Sequence, residues 1–174
     1  KNYLAESKDL PYERIETLNK IFEQEKSAKK NENRLIVITT IEAMMQKMIS
    51  KEEVYEALLE FKVGKCFNLE ELKQSLIHLG YERADIVDGK GQFSVRGGIL
   101  DIGTTNTQGV RIEFWGDEVD SIRSFSITSQ RSNKMIEEAR IYPSHELIVT
   151  KNIDKICKQI ENKKENASEE NAKN

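Results

Sequence analysis

Gly91 to Ser132 reads GQFSVRGGILDIGTTNTQGVRIEFWGDEVDSIRSFSITSQRS. Apolar and polar residues alternate along it with the period of two that sends successive side chains to opposite faces of a strand. Gln92 to Arg96 and Ile99 to Ile102 flank Gly97-Gly98, the two-residue loop of a tight hairpin. Val110 to Trp115 and Val119 to Ile127 flank Gly116-Asp117 as a second hairpin, after the polar turn Thr104 to Gly109. In the first hairpin Phe93 and Val95 turn one way, and Gln92, Ser94 and Arg96 the other. In the second, Val110, Ile112 and Phe114 turn towards a core, and Arg111, Glu113 and Trp115 away from it.

The residues before this stretch supply what covers the apolar face. Leu69, Leu72, Leu76 and Leu79 form one helical stripe, with Asn68 as N-cap and Glu71 three residues after it. Gly80 ends the helix as the residue that takes a left-handed turn. Val63 to Phe67 and Ala84 to Val87 are short strand candidates, Gly89-Lys90-Gly91 is a turn, and Ile141-Tyr142 adds an edge strand before Pro143. Residues 63–147 are therefore expected to form an α+β unit, one helix packed on a mostly antiparallel sheet.

Residues 1–62 are expected to be part of an α/β domain. PYERIETLNKIFEQEK (11–26) has apolar residues at helical spacing at Ile15, Leu18 and Phe22. LIVITT (35–40) is a short apolar, β-branched run, expected to be a strand buried on both faces. Thr40 caps a following helix over IEAMMQKMIS, with Met44, Met45 and Met48 as core filling. One strand cannot build a sheet, so its partners are expected outside a chain that begins at Lys1 and is taken as a piece of a longer protein. Residues 148–174 read as a linker helix, with Ile153, Ile156 and Ile160 on one face, and a polar tail expected to be disordered.

The 174 residues carry 27 Lys plus Arg and 30 Asp plus Glu, a net charge of −3. That balance argues against a protein that wraps nucleic acid. Between Lys90 and Arg131 the five basic residues are matched by five acidic ones, and phosphate binding needs an excess of cations. Cys66, Cys157, His78 and His145 are too scattered to ligate a metal; both cysteines are expected to be reduced in a cytoplasmic protein. No phosphate loop, GxSxG or HExxH motif is present, and no cofactor is expected. Asp117, Glu118 and Asp120 read as solvated turn residues. The chain is read as non-enzymatic. What remains is a Trp beside an Arg on the outward side of a sheet, the composition of an interaction hot spot. A Trp covered by a neighbouring loop has the same pattern, and strand order decides whether Arg96 shares the face.

GQFSVRGGILDI, VRIEFWGDEVDSIRSFSITSQRS, and upstream LPYERIETLNKIF, VITTIEAMMQKM and LIHLGYERADIV resemble the UvrB-homology region shared by the excision-repair protein UvrB and the bacterial transcription-repair coupling factors (Mfd). Ser129-Gln130-Arg131-Ser132 is the Mfd form. The resemblance spans residues 10–147. It implies a UvrB domain 2-like fold preceded by a degenerate, ATP-free helicase-like domain. It also implies a module that recruits the excinuclease subunit UvrA to sites of stalled RNA polymerase, with Arg96, Arg111 and Trp115 as UvrA contacts and Glu113 beside them. Full-length members of the family are ATP-driven DNA translocases that act on RNA polymerase. Two positions depart from the family: Trp115 stands where Phe is usual, and Gly103-Thr104 where Phe-Pro follows the LDI motif. The competing reading is a DNA-contacting repair domain like that of UvrB, which would need a tyrosine-rich hairpin.

Overall fold

The computed structural model describes residues 9–27, 35–46 and 48–144. The first helix, α1, spans Asp9–Ser27. It buries Ile15 and Leu18 against Val54, with Phe22, Ile49 and Tyr142 packed around them.

The segment 35–48 departs from expectation. Leu35 to Thr40 forms no strand, and Ile36 and Ile38 stand open to solvent. A strand is held by hydrogen bonds to a neighbouring strand, and among the described residues the β-branched run pairs with none. Met44, Met45 and Met48 are exposed rather than core. The single helix expected over 41–50 is interrupted. Thr40 caps the short α2, Ile41–Met45, and Ser50 caps α3, Lys51–Ala57. Ser50 and Glu53 form a reciprocal capping box, which satisfies free N–H groups at a new helix start and so favours a break before it.

The module opens with β1, Leu59–Lys62, earlier than the strand expected at 63–67; of that run, Cys66 makes only an isolated bridge to Glu118. Helix α4, Leu69–His78, follows as the leucine stripe predicts. Asn68 accepts from the backbone N–H of Glu70 and Glu71, an interaction worth about 1 kcal/mol to a helix. At its other end Tyr81 N–H donates to Leu76 O, Gly80 N–H donates to Ile77 O, and Gly80 takes φ +84°. That is the Schellman arrangement, which glycine enters without a Cβ clash.

The strands then run β2 (Glu82–Arg83), β3 (Gln92–Arg96), β4 (Ile99–Gly103), β5 (Gln108–Trp115), β6 (Glu118–Ser126), β7 (Ser132–Ile136) and β8 (Glu138–Ile141). β2 to β7 lie side by side in sequence order, antiparallel except where β2 meets β3, and β8 pairs with β1. The expected α+β layer is thus present, with both hairpins in place. The strand expected at 84–87 moves to 82–83, and β7 goes beyond what the sequence pattern indicated.

One face of the sheet is apolar. Val95, Leu100, Ile112, Ile122 and Ile136 lie opposite one another across successive strands. They pack with Phe61, Phe93 and Phe114 against Leu72 and Leu76 of α4 and Leu79 at its C-cap. Among the described residues no helix is long and apolar enough to cross a membrane. The helix expected over 152–161, the expected polar tail, Cys157 and His145 lie outside the described residues.

Candidate functional site

The other face of the sheet carries the polar set. Directly opposed positions on antiparallel strands point the same way. Arg96 pairs with Ile99, and Ile99 with Glu113. Ser94 pairs with Asp101, Asp101 with Arg111, and Arg111 with Arg123. The register therefore puts Arg96, Arg111 and Glu113 on one face. Trp115 follows Glu113 by two residues, beyond a bulge that shifts the register between Glu113 and Phe114. The tips of the hairpins are joined, since Phe114 N–H donates to Gly98 O at 2.7 Å. A Cβ on Gly98 would stand 2.8 Å from Phe114 O, so this contact requires glycine.

Part of this face is roofed over. Residues 84–91 cross it, with Ser94 Oγ donating to Asp85 O at 2.7 Å and Val87 packing on Phe125 and Ile127. A Cβ at Gly103 would come within 2.1 Å of Gly89 O. The loop therefore occupies the space that a larger residue at position 103 would take. Gln130, at φ +59°, closes the far side, its amide donating to Val87 O and Ile127 O. The end of the face nearest the hairpin tips stays open, and there Trp115 is 84% exposed.

The centre of the polar set is Asp101, only 1% exposed. Its Oδ2 accepts from Arg96 Nη2 at 2.8 Å and from Arg111 Nη2 at 2.9 Å, and its Oδ1 from Arg111 Nε at 2.6 Å. The pair with Arg111 is the two-bond fork that a planar guanidinium makes to a carboxylate. Arg111 also lies 4.9 Å from the centre of the Phe125 ring, and its Nη1 points at Gln130 O and Ser132 Oγ, both at 3.4 Å. The Asp101 hydrogen bonds hold the Arg111 guanidinium above its ordinary pKa, against the opposing effect of burial.

Two expectations change as a result. The four residues Arg96, Arg111, Glu113 and Trp115 do share a face, but they are not equally open. Arg111 is a held residue, its side chain 15% exposed, whereas Arg96 is 47% exposed. Glu113 accepts from Ser121 Oγ at 3.0 Å and lies 3.8 Å from Arg123, so it too is engaged. Asp101 escaped the sequence reading, although its signal was present: Leu100 and Ile102 turn inward, which turns the residue between them outward. Arg123 was likewise missed, and it lies on the same face as the cross-strand partner of Arg111. Among the described residues no cluster of His, Cys, Asp or Glu could hold a metal ion.

An exposed tryptophan beside a half-open arginine on a sheet face is the composition enriched at protein-protein interfaces. The chain belongs to the UvrB interaction domain family, which it matches over residues 59–147, beginning at β1. It is similar to transcription-repair-coupling factors. Identity to that of Bacillus subtilis is 35% over 145 residues, 82% of this chain and 12% of that protein. Identity to that of Staphylococcus haemolyticus is 31% over 151 residues, 87% of this chain and 12% of that protein. The Staphylococcus epidermidis protein is 29% identical over 167 residues, 96% of this chain and 13% of that protein. The chain thus spans about 12% of the length of these relatives.

Proposed function

We propose that this chain is a docking module that binds UvrA and recruits it, within a longer transcription-repair coupling factor, to lesions where RNA polymerase has stalled. The observation that carries the reading is the open end of the sheet face, where Trp115 and Arg96 stand accessible on a rigid frame. A flat aromatic loses little conformational entropy on burial at an interface, and an arginine can meet a carboxylate through two hydrogen bonds. The chemistry of this stretch is recognition rather than catalysis, with neither cofactor nor ATP turnover, in the cytoplasm. RNA polymerase, DNA and the ATP-driven motor belong, in this reading, to the rest of the longer protein.

Calorimetric titration of the purified chain with UvrA, and with duplex DNA at two salt concentrations, tests the proposal. Saturable UvrA binding with little DNA affinity is expected. DNA binding that falls steeply with salt, without UvrA binding, would support the UvrB-like DNA-contacting alternative and sink this one.

A further inference from the structure

We infer that Asp101 is a positioning residue for the interaction face: a buried carboxylate that the partner does not reach, which aims the arginine that the partner does. The inference deepens the UvrA-docking reading and rests on it.

Arg111 spends its donors inside the module. Nε and Nη2 go to Asp101, Nη1 faces Gln130 O and Ser132 Oγ, and the Phe125 ring covers one face of the guanidinium. Arg96 spends far less. Among the described residues its one ion pair is Nη2 to Asp101 Oδ2, which leaves Nε and Nη1 for a partner on a side chain that is 47% exposed. Arg96 is therefore the arm of the site and Arg111 the brace that holds Asp101 in place. Asp101 itself sits on β4, in the middle of the sheet, and it is flanked by Ser94 on one neighbouring strand and Arg111 on the other. It cannot swing without breaking charge-assisted bonds at both oxygens.

Two physical consequences follow from this arrangement. A long arginine side chain loses rotamer freedom when it is captured, and one already tethered near its working geometry loses less. Arg96, Arg111 and Arg123 also share one face, so their like charges oppose one another. Asp101 offsets that repulsion from a position only 1% exposed, where no carboxylate oxygen is presented to an incoming partner. A partner suited to this surface brings a carboxylate to the open edge of Arg96 and an apolar recess for Trp115.

The test is a double-mutant cycle on this chain, using Asp101→Asn, Arg96→Ala and the combined variant, each titrated with UvrA and each melted in parallel. Asp101→Asn keeps the shape and removes the charge. It is expected to weaken UvrA binding about tenfold in the parent, and to have little further effect once Arg96 is alanine. Equal losses in both backgrounds would mean that Asp101 acts through general structure, which overturns the inference. So would parent-like binding by a folded Asp101→Asn chain. If Asp101→Asn melts below the assay temperature, Asp101→Glu takes its place, since it keeps the charge and moves it by one methylene. Weaker binding by folded Asp101→Glu supports positioning, and unchanged binding refutes it. If the unaltered chain does not bind UvrA, it is the docking reading that fails.

Discussion

On the face turned to α4, the central strands carry Phe93, Leu100, Ile112 and Ile122, each at most 1% exposed. On the opposite face the same strands carry Ser94, Asp101, Arg111 and Arg123. The first face is closed by packing. Its residues are interchangeable in kind, and their contribution comes from apolar area removed from water. The second is closed by directed bonds among a few groups, and only its outer end is open. The same strands therefore hold a packed apolar side and a polar side bound by ion pairs. The two can be perturbed separately only where a side chain belongs to one of them alone. Arg111 lies on the polar side, but its bonds to the buried Asp101 tie it to stability as well.

The largest expected effect is on the packed face. Leu76, fully buried under the sheet, should cost about 2–5 kcal/mol of stability when changed to alanine, as core truncations do. A urea melt reads this as a lower midpoint at unchanged slope. A loss below about 1 kcal/mol would break the assignment of the packed face.

Trp115→Ala and Arg96→Ala should do the reverse. Each is expected to weaken UvrA binding by about 2 kcal/mol or more, with stability changed by less than about 1 kcal/mol. Titration and melt of the same sample separate the two readings. A folded Trp115→Ala chain that binds UvrA normally would remove the open end of the sheet from the interface.

Arg111→Ala should lower stability and UvrA binding together. Period-two alternation turns Arg111 away from the apolar core, but its truncation leaves the buried Asp101 with Arg96 as its remaining charged partner. A stability loss of about 1–3 kcal/mol is expected, alongside weaker UvrA binding. A melt indistinguishable from the parent would show that Arg111 is not a brace.

The smallest effect lies away from both faces, where α1 meets the module. Hydrogen bonds from Lys20 and Lys90 lower the pKa of Glu16 from 4.5 to about 2. A carboxylate whose folded pKa is depressed adds stability that is complete above its unfolded pKa and is lost as pH falls through the folded one. Melts should therefore show a contribution fading from about pH 4.5 towards pH 2, and Glu16→Gln should remove it. Because Glu16 is 39% exposed, solvent screening keeps this below about 1 kcal/mol. An identical acid profile in Glu16→Gln would break the assignment.

The sheet module was largely legible because its signals are local. Alternation, paired glycines, an asparagine cap and a C-terminal glycine each act over a few residues. β7, Ser132–Ile136, was not legible: its residues are mostly exposed, so no apolar alternation marks it, and only the hydrogen-bonding edge of β6 makes it a strand. Leu35 to Thr40 is the opposite failure. It has the composition of a buried strand but no described partner strand. Composition states a preference that pairing must realise.

By itself the sequence determined the hairpins, the α4 stripe, and the fact that Arg111, Glu113 and Trp115 leave the core on the same side, since period-two geometry follows from the chain alone. Only the tertiary structure decided that Arg96 joins them, because that depends on which strands are neighbours. It also decided that Asp101 stands between the two arginines, and that Arg111 is held while Trp115 is free. Exposure and ion pairing are set by what the fold brings across from distant positions — here the 84–91 crossing and the turn at Gln130 — and no local pattern encodes those distances.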